Sequence, residues 1–150
     1  MNHWFTTSKT KPNLTAPSTS TQPASIVKME KHVSSASAKK MGFVSACRQG
    51  DLAAVDRFIS KARAHGVKTL RHVVEFRDRD GWTPLLLACF DGRDSVVERL
   101  LAAGANIDAP NNTGSTPLFM ACQNDHLKVV ERLMAARASI DLQRCDGATP

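Results

Sequence analysis

The sequence predicts an all-α protein built as a solenoid of stacked helix–turn–helix units. The segment Gly81-Trp82-Thr83-Pro84-Leu85 returns 33 residues later as Gly114-Ser115-Thr116-Pro117-Leu118, and Gly147-Ala148-Thr149-Pro150 begins the pattern again. Other segments recur at the same spacing, namely Ala88-Cys89, Val96–Leu100 and Ile107-Asp108. Each unit carries two short helices with a single apolar stripe, which one unit cannot bury alone. A fixed period of this length is typical of proteins whose neighbouring repeats cover each other's stripes.

Residues 1–36 predict a disordered tail. The stretch from Thr15 to Pro23 is rich in Ser, Thr and Pro and has no periodic apolar pattern. Of the formal net charge of +6, residues 1–40 carry +5, from six Lys and one Glu. A basic tail can contact nucleic acid or an anionic membrane, but scattered lysines favour a solvated segment. The pair Trp4-Phe5 is unusual in such a tail, and a short docking motif there is an alternative to an incidental pair.

Residues 37–79 predict a divergent N-terminal capping repeat. The segment Ala46 to Leu52, with Val55, Phe58 and Ile59, matches the pattern that begins at Ala88, but at a shift of 42 instead of 33. Nine extra residues therefore fall between Ala64 and Arg79, where they either lengthen the second helix or form a longer finger. An atypical terminal repeat shields the open end of a solenoid.

Residues 80–112 and 113–145 predict two regular units. In the first, Thr83 is the expected N-cap and Pro84 the first helical residue, and the helix runs to about Asp91. A second helix follows from about Ser95 to Ala103. The stretch from Ala105 to Thr113 is rich in Asn, Asp and Pro, which predicts an extended loop or hairpin.

These motifs resemble the ankyrin repeat. The TPLHxA signature of that family is matched by Thr83–Ala88 and by Thr116–Ala121, and its GADVN element by Gly104–Asp108. The resemblance covers about residues 39–150. It implies an ankyrin-type helix–turn–helix solenoid with loop or β-hairpin fingers.

The chain departs from the family pattern at several positions. Leu86 and Phe119 replace the histidine of the signature, and Asp94 stands where Leu is usual. Asp125 and Arg137 replace glycines at helix ends, and an Arg in a left-handed conformation costs about 1 kcal/mol. We therefore expect the third unit to be the least stable.

Residues 146–150 predict the start of a further, truncated repeat. Since about three or more stacked repeats are needed for stability, we expect a chain of this length to be marginally stable by itself.

No motif in the sequence predicts catalysis. The five His are dispersed, and neither a metalloprotease motif nor a glycine-rich phosphate loop occurs. Cys47, Cys89, Cys122 and Cys145 lack the spacing of a zinc site and predict free structural thiols. We therefore predict no enzyme activity, no cofactor, no metal and no small-molecule substrate. The absence of a long apolar run or secretory signal predicts an intracellular chain, cytoplasmic or nuclear.

The resemblance implies that a partner protein binds the concave face of the stack. The positions that match the variable surface of the family are Arg48, Gln49, Arg79, Asp80, Trp82, Phe90, Asp91, Asn112, Thr113, Ser115, Gln123 and Asn124. Trp82 and Phe90 are the candidate anchors, because aromatic residues are enriched at binding hot spots. The alternative is that both pack against neighbouring repeats.

Three functions remain open at this point. The first is an adaptor or scaffold that recognises another protein. The second is an N-terminal targeting or regulatory arm of a larger enzyme, such as a kinase, ubiquitin ligase or acyltransferase, whose catalytic part lies beyond residue 150. The third is a contact with nucleic acid or lipid through the basic tail and residues 61–79.

Overall fold

The computed structural model describes residues 35–150, with side chains from Lys40 onward. The predictions for residues 1–34, including Trp4-Phe5 and the tail's part in a basic contact, concern residues that lie outside this range. Ser35 and Ala36, which the predicted tail included, instead begin the first helix. The described part forms helices α1 to α7, which are Ser35–Gln49, Leu52–Ala64, Val67–Val74, Pro84–Phe90, Asp94–Ala102, Pro117–Gln123 and Leu127–Ala135. None of these helices is long and apolar enough to cross a membrane.

The first helix of each regular unit begins at its Thr-Pro pair, as predicted. The hydroxyl of Thr83 accepts a hydrogen bond from the backbone N–H of Leu86 (3.2 Å), and Thr116 accepts one from Phe119 (3.2 Å). Proline has no backbone N–H, but its absence costs no helical hydrogen bond here, because the first N–H of a helix has no partner within the helix. Helices α4 and α6 therefore start in register with the 33-residue period.

The helices form two layers around one apolar core. In one layer α1, α4 and α6 pack side by side, and in the other α2, α5 and α7 do so; each pair within a repeat also packs together. The largest fully buried side chains come from all three repeats and include Phe43, Val55, Leu85, Leu100, Leu118 and Leu133. Burial of each such side chain contributes about 1.5–3 kcal/mol, and the predicted apolar stripes are the surfaces that the repeats bury against one another.

The extra residues of the first repeat form a separate helix, α3, which corrects both predicted alternatives. Helix α2 ends at Ala64, and Gly66 (φ +101°) turns the chain before α3 begins at Val67. The insertion thus forms neither a longer α2 nor a longer finger, since Val67–Val74 is helical. Helix α3 packs against α2, with Val74 buried and Val67 81% exposed.

The segments that follow the second helical layer of each repeat, residues 75–83, 103–116 and 136–150, are called fingers below. Of the two predicted forms, the loop is the one observed, since the described chain contains turns and no strands here. One backbone hydrogen bond joins each finger to the next: Asn112 N–H donates to the carbonyl of Asp80 (3.0 Å), and Cys145 N–H to that of Thr113 (3.2 Å).

Two helix ends adopt a left-handed conformation without glycine, as the sequence predicts. Asp125 has a φ of +57° and Arg137 a φ of +63°. At the position equivalent to Asp125, Gly92 is needed for a second reason, because a Cβ there would lie 2.7 Å from the ring of His126. That ring donates from Nε2 to the carbonyl oxygen of Phe90 (2.9 Å). His126 therefore links two repeats, in a protein that lacks the signature histidines.

Candidate functional site

Most of the predicted partner-binding residues line one groove between the finger tips and the first helices. This central groove has a volume of about 460 Å³. Seven of the predicted residues line it: Asp80, Trp82, Phe90, Asn112, Thr113, Ser115 and Gln123. Positions that are separated in sequence by about one repeat are thus brought onto one surface by the stacking of the repeats.

Trp82 and Phe90 form a single aromatic pair in the central groove. Their rings meet edge to face, with centroids 5.6 Å apart and an interplanar angle of 82°. Phe90 remains 39% exposed, and Trp82 is half-buried. An edge-to-face pair is stabilising by about 0.5–1.5 kcal/mol beyond area burial. Because both residues belong to the same unit, this packing lies within one repeat and leaves the pair partly exposed at the groove.

Two side-chain oxygens at equivalent positions shape the fingers beside this pair. Asp78 Oδ1 accepts hydrogen bonds from the backbone N–H groups of Asp80 (3.0 Å) and Trp82 (2.8 Å). Asn111 Oδ1 accepts from the N–H groups of Thr113 (3.0 Å) and Ser115 (2.9 Å). Sequence reasoning missed both residues, although their spacing of 33 and their side-chain chemistry indicate the same turn.

Ser115 differs from the other predicted contact residues because it is buried, with 1% of its surface exposed. Its hydroxyl lies 3.1 Å from the Thr113 hydroxyl, which in turn donates to Asn111 Oδ1 (2.7 Å). Ser115 therefore holds the finger, whereas Thr113 at the tip is exposed. Asn112 also has a structural bond, from Nδ2 to the carbonyl of Arg79 (3.0 Å).

Arg144 and Met120, together with Asn111, complete the central groove and were not predicted. Arg144 occupies the slot equivalent to Asp78 and Asn111, but its guanidinium carbon lies 5.0 Å from the centroid of the Phe119 ring. Its Nη2 also lies 3.5 Å from the carboxylate of Asp146. The repeat period aligns this arginine with Asp78 and Asn111, but its side chain makes different contacts.

A second, N-terminal groove of about 570 Å³ lies between α1 and the first finger. It contains two of the predicted residues, Arg48 and Arg79, together with Met41, Val44, Ser45, Phe76, Arg77 and Asp78. Arg48 also forms an ion pair with Asp91 (Nε to Oδ2, 3.1 Å). This pair connects α1 to the end of α4, next to Phe90 of the central groove.

The remaining three predicted residues, Asp91, Gln49 and Asn124, line neither groove. Gln49 is exposed and donates from Nε2 to the Ser45 hydroxyl (3.0 Å). Asn124 is half-buried and donates from Nδ2 to the carbonyl of Met120 (2.8 Å) within its own helix end.

None of the four cysteines lines either groove. Cys47 and Cys89 are fully buried at equivalent positions of α1 and α4, and all four cysteines are free thiols. Burial raises the pKa of Cys47 to about 12 and also raises the pKa values of Cys89 and Cys122. Within residues 35–150 no group of three His, Cys, Asp or Glu side chains is arranged to hold a metal ion.

Comparison with known proteins agrees with this architecture. A family model described as ankyrin repeats matches residues 43–144 in three copies. Protein phosphatase 1 regulatory subunit 27 of Homo sapiens is 35% identical over 95 residues, covering 47% of this chain and 62% of the relative. The Mus musculus protein of the same name is 33% identical over 96 residues, with the same two coverages. The chain thus spans less than two thirds of the length of these relatives.

Proposed function

Because the chain belongs to the ankyrin repeat family, we propose that it is a non-catalytic interaction module that binds a partner protein through the central groove. The observation that carries this proposal is the Trp82–Phe90 pair, an aromatic anchor that is partly exposed within a surface made from two repeats. Aromatic side chains surrounded by polar groups are typical of binding hot spots.

The polar rim of the groove suits recognition of a peptide or loop. Asn112, Thr113 and Gln123 are exposed and offer both donors and acceptors to a partner backbone. The finger that carries Asn112 and Thr113 is held by side-chain and backbone hydrogen bonds, so little order has to be gained on binding. A preorganised surface of this kind raises affinity because less conformational entropy is given up.

Site-specific photo-crosslinking tests this proposal. We expect a photoreactive residue at Gln123, in the central groove, to capture a binding protein in cells, whereas one at the exposed Ser95 of α5, in the other helix layer, captures none. Replacement of Phe90 by Ala should abolish the crosslink from position 123. Capture of the same protein from position 95 alone would place the binding surface elsewhere and overturn the proposal.

The similarity to protein phosphatase 1 regulatory subunit 27 favours a second, more specific candidate function, in which the partner is protein phosphatase 1. Titration of the purified phosphatase with the full chain tests it. We expect a saturable complex by isothermal calorimetry and a changed rate of phosphopeptide hydrolysis. Absence of binding at about 100 µM, which corresponds to a binding free energy weaker than about −5 kcal/mol, would exclude protein phosphatase 1 while leaving the adaptor role intact.

A further inference from the structure

The floor of the N-terminal groove is apolar although the groove lies at the surface. Met41 is 62% exposed, and Val44 and Phe76 are half-buried beside it. An exposed methionine with partly covered neighbours is a site at which an apolar side chain of a partner could be buried, since removal of apolar area from water is stabilising. Methionine adapts its shape to different partners.

The rim of the same groove is basic. Arg48, Arg77 and Arg79 line it, and the Lys40 ammonium lies 5.3 Å from the centroid of the Phe76 ring. Asp78 is the one acid among the lining residues, and its Oδ1 is already bonded to two backbone N–H groups of the finger. Asp91 neutralises part of the Arg48 charge.

Arg79 is the arginine best placed to meet a ligand. It is exposed at the finger tip, and its guanidinium has no hydrogen-bonded or ionic partner among the side chains of residues 40–150. Arg77 differs, because its Nη1 donates to the carbonyl of Pro110 (2.6 Å) and so ties two fingers together. A guanidinium in the position of Arg79 can bind a carboxylate through two parallel hydrogen bonds.

From this charge and shape we propose that the N-terminal groove binds an acidic, extended segment of the partner protein, which inserts one apolar side chain between Met41 and Phe76. The inference deepens the proposed function and rests on it. The chain's own N-terminal residues are a poor occupant, because residues 1–34 carry four Lys and one Glu and are repelled by the arginines.

A selection experiment with the full chain tests the inference. The probe is a displayed library of random short linear peptides, panned on the immobilised protein. We expect the enriched peptides to carry one Leu, Ile, Phe or Met flanked by Asp or Glu. Replacing those acids by Gln or Asn in the synthesised peptides should weaken binding about tenfold for each carboxylate–arginine pair removed, and high salt should weaken it further.

Matched variants assign the effect to the groove. Arg79→Glu should weaken the acidic peptides and shift enrichment toward Lys- and Arg-containing ones, and Met41→Ser should weaken peptides of either charge. The control is Arg57→Glu on α2, another exposed arginine outside both grooves, which should leave the binding unchanged. All variants are checked for an unchanged urea midpoint.

Each other outcome contradicts the inference in a distinguishable way. Peptides that depend on Phe90 but not on Arg79 would leave the proposed function standing and overturn the acidic specificity. Peptides without acid enrichment would do the same. A failure of any peptide to bind, with self-association that Met41→Ser abolishes, would identify a second copy of the chain as the occupant.

Discussion

The guanidinium of Arg132 on α7 forms a bidentate interaction with the carboxylate of Asp94 on α5. Its Nε donates to Oδ1 and its Nη2 donates to Oδ2, the second over 2.9 Å. Arg132 also pairs with Glu98 (3.2 Å). Asp94 departs from the family pattern, which favours Leu, and its bond with Arg132 explains the departure. The polar residue at the start of α5 joins the second regular repeat to the first.

Asp94→Asn should reduce the free energy of unfolding by about 1 kcal/mol at neutral pH, because it removes the charge from a partly exposed ion pair. The hydrogen bond from Arg132 lowers the pKa of Asp94 in the folded protein. The contribution is therefore complete above the pKa of an unfolded Asp, about 3.9, and is lost as the pH falls through the lower folded pKa. Urea unfolding of both proteins across this range measures the difference. Asp141→Asn is the control, since Asp141 is exposed and has no ion pair among the described residues; an equal effect there would contradict the assignment.

Arg137→Gly should stabilise the protein by about 1 kcal/mol, because Arg137 holds a φ of +63° that glycine adopts without strain. Its equivalent one repeat earlier is Gly104 (φ +85°), where an added Cβ meets no atom within 4 Å. Gly104→Arg should therefore destabilise by a similar amount through backbone strain alone. Thermal unfolding of the two variants and the parent makes the comparison, and shifts of the same sign would refute it.

Phe90→Ala should cost about 1 kcal/mol of stability, since the ring is 39% exposed and its main aromatic contact is with Trp82. Phe43→Ala is the matched comparison, because Phe43 is 1% exposed and packs against Phe58 in the core (centroids 5.6 Å apart). We expect that change to cost about 3–5 kcal/mol. Equal reductions in stability, measured by chemical unfolding, would mean that Phe90 serves the core and not the surface.

Asn111→Ala should destabilise the second finger by about 1–3 kcal/mol, because it leaves two N–H groups and one hydroxyl without the acceptor that they use. Asn111 is 8% exposed, so water replaces that acceptor poorly. Asn106→Ala is the control: its Oδ1 accepts one bond, from Asp108 N–H (3.1 Å), at an exposed position. We expect that variant to stay within about 0.5 kcal/mol of the parent, as measured by hydrogen exchange and urea unfolding.

Ellman's reagent should label Cys145 within the folded protein, since this thiol is exposed. Cys47 and Cys89 should react only when the chain unfolds, because burial both shields them and raises the pKa of each thiol, that of Cys47 to about 12. Cys122, which is half-buried, should react at an intermediate rate. Mass spectrometry of timed samples identifies each site; early labelling of Cys89 would mean that α4 opens readily.

The 33-residue period allowed the helices, caps and core of the regular repeats to be predicted, because each of these depends on local pattern. Helix α3 was not predicted, since the period carries no information about an insertion. The spacing of Val67, Leu70, Val73 and Val74 is nevertheless helical.

The candidate site could be predicted less well than the fold. Position within the repeat predicted twelve partner-binding residues, and seven of these line the central groove. It did not indicate exposure, which for Ser115 depends on the hydrogen bonds around Asn111. Arg144 and the apolar floor around Met41 were missed because each depends on contacts between different elements. The repeat pattern describes each element separately and does not include those contacts.

The finger-to-finger hydrogen bonds, Asn112 to Asp80 and Cys145 to Thr113, use only backbone atoms. These two bonds can therefore form with any non-proline residue at positions 112 and 145, and the side chains of Arg77 and Asn112 add further bonds between the first two fingers. In evolutionary terms, substitutions at exposed groove positions such as Arg79 on a finger and Gln123 at the end of α6 can change what the surface recognises while the backbone bonds between fingers are kept. Such a surface can acquire new specificity one residue at a time, without a change in fold.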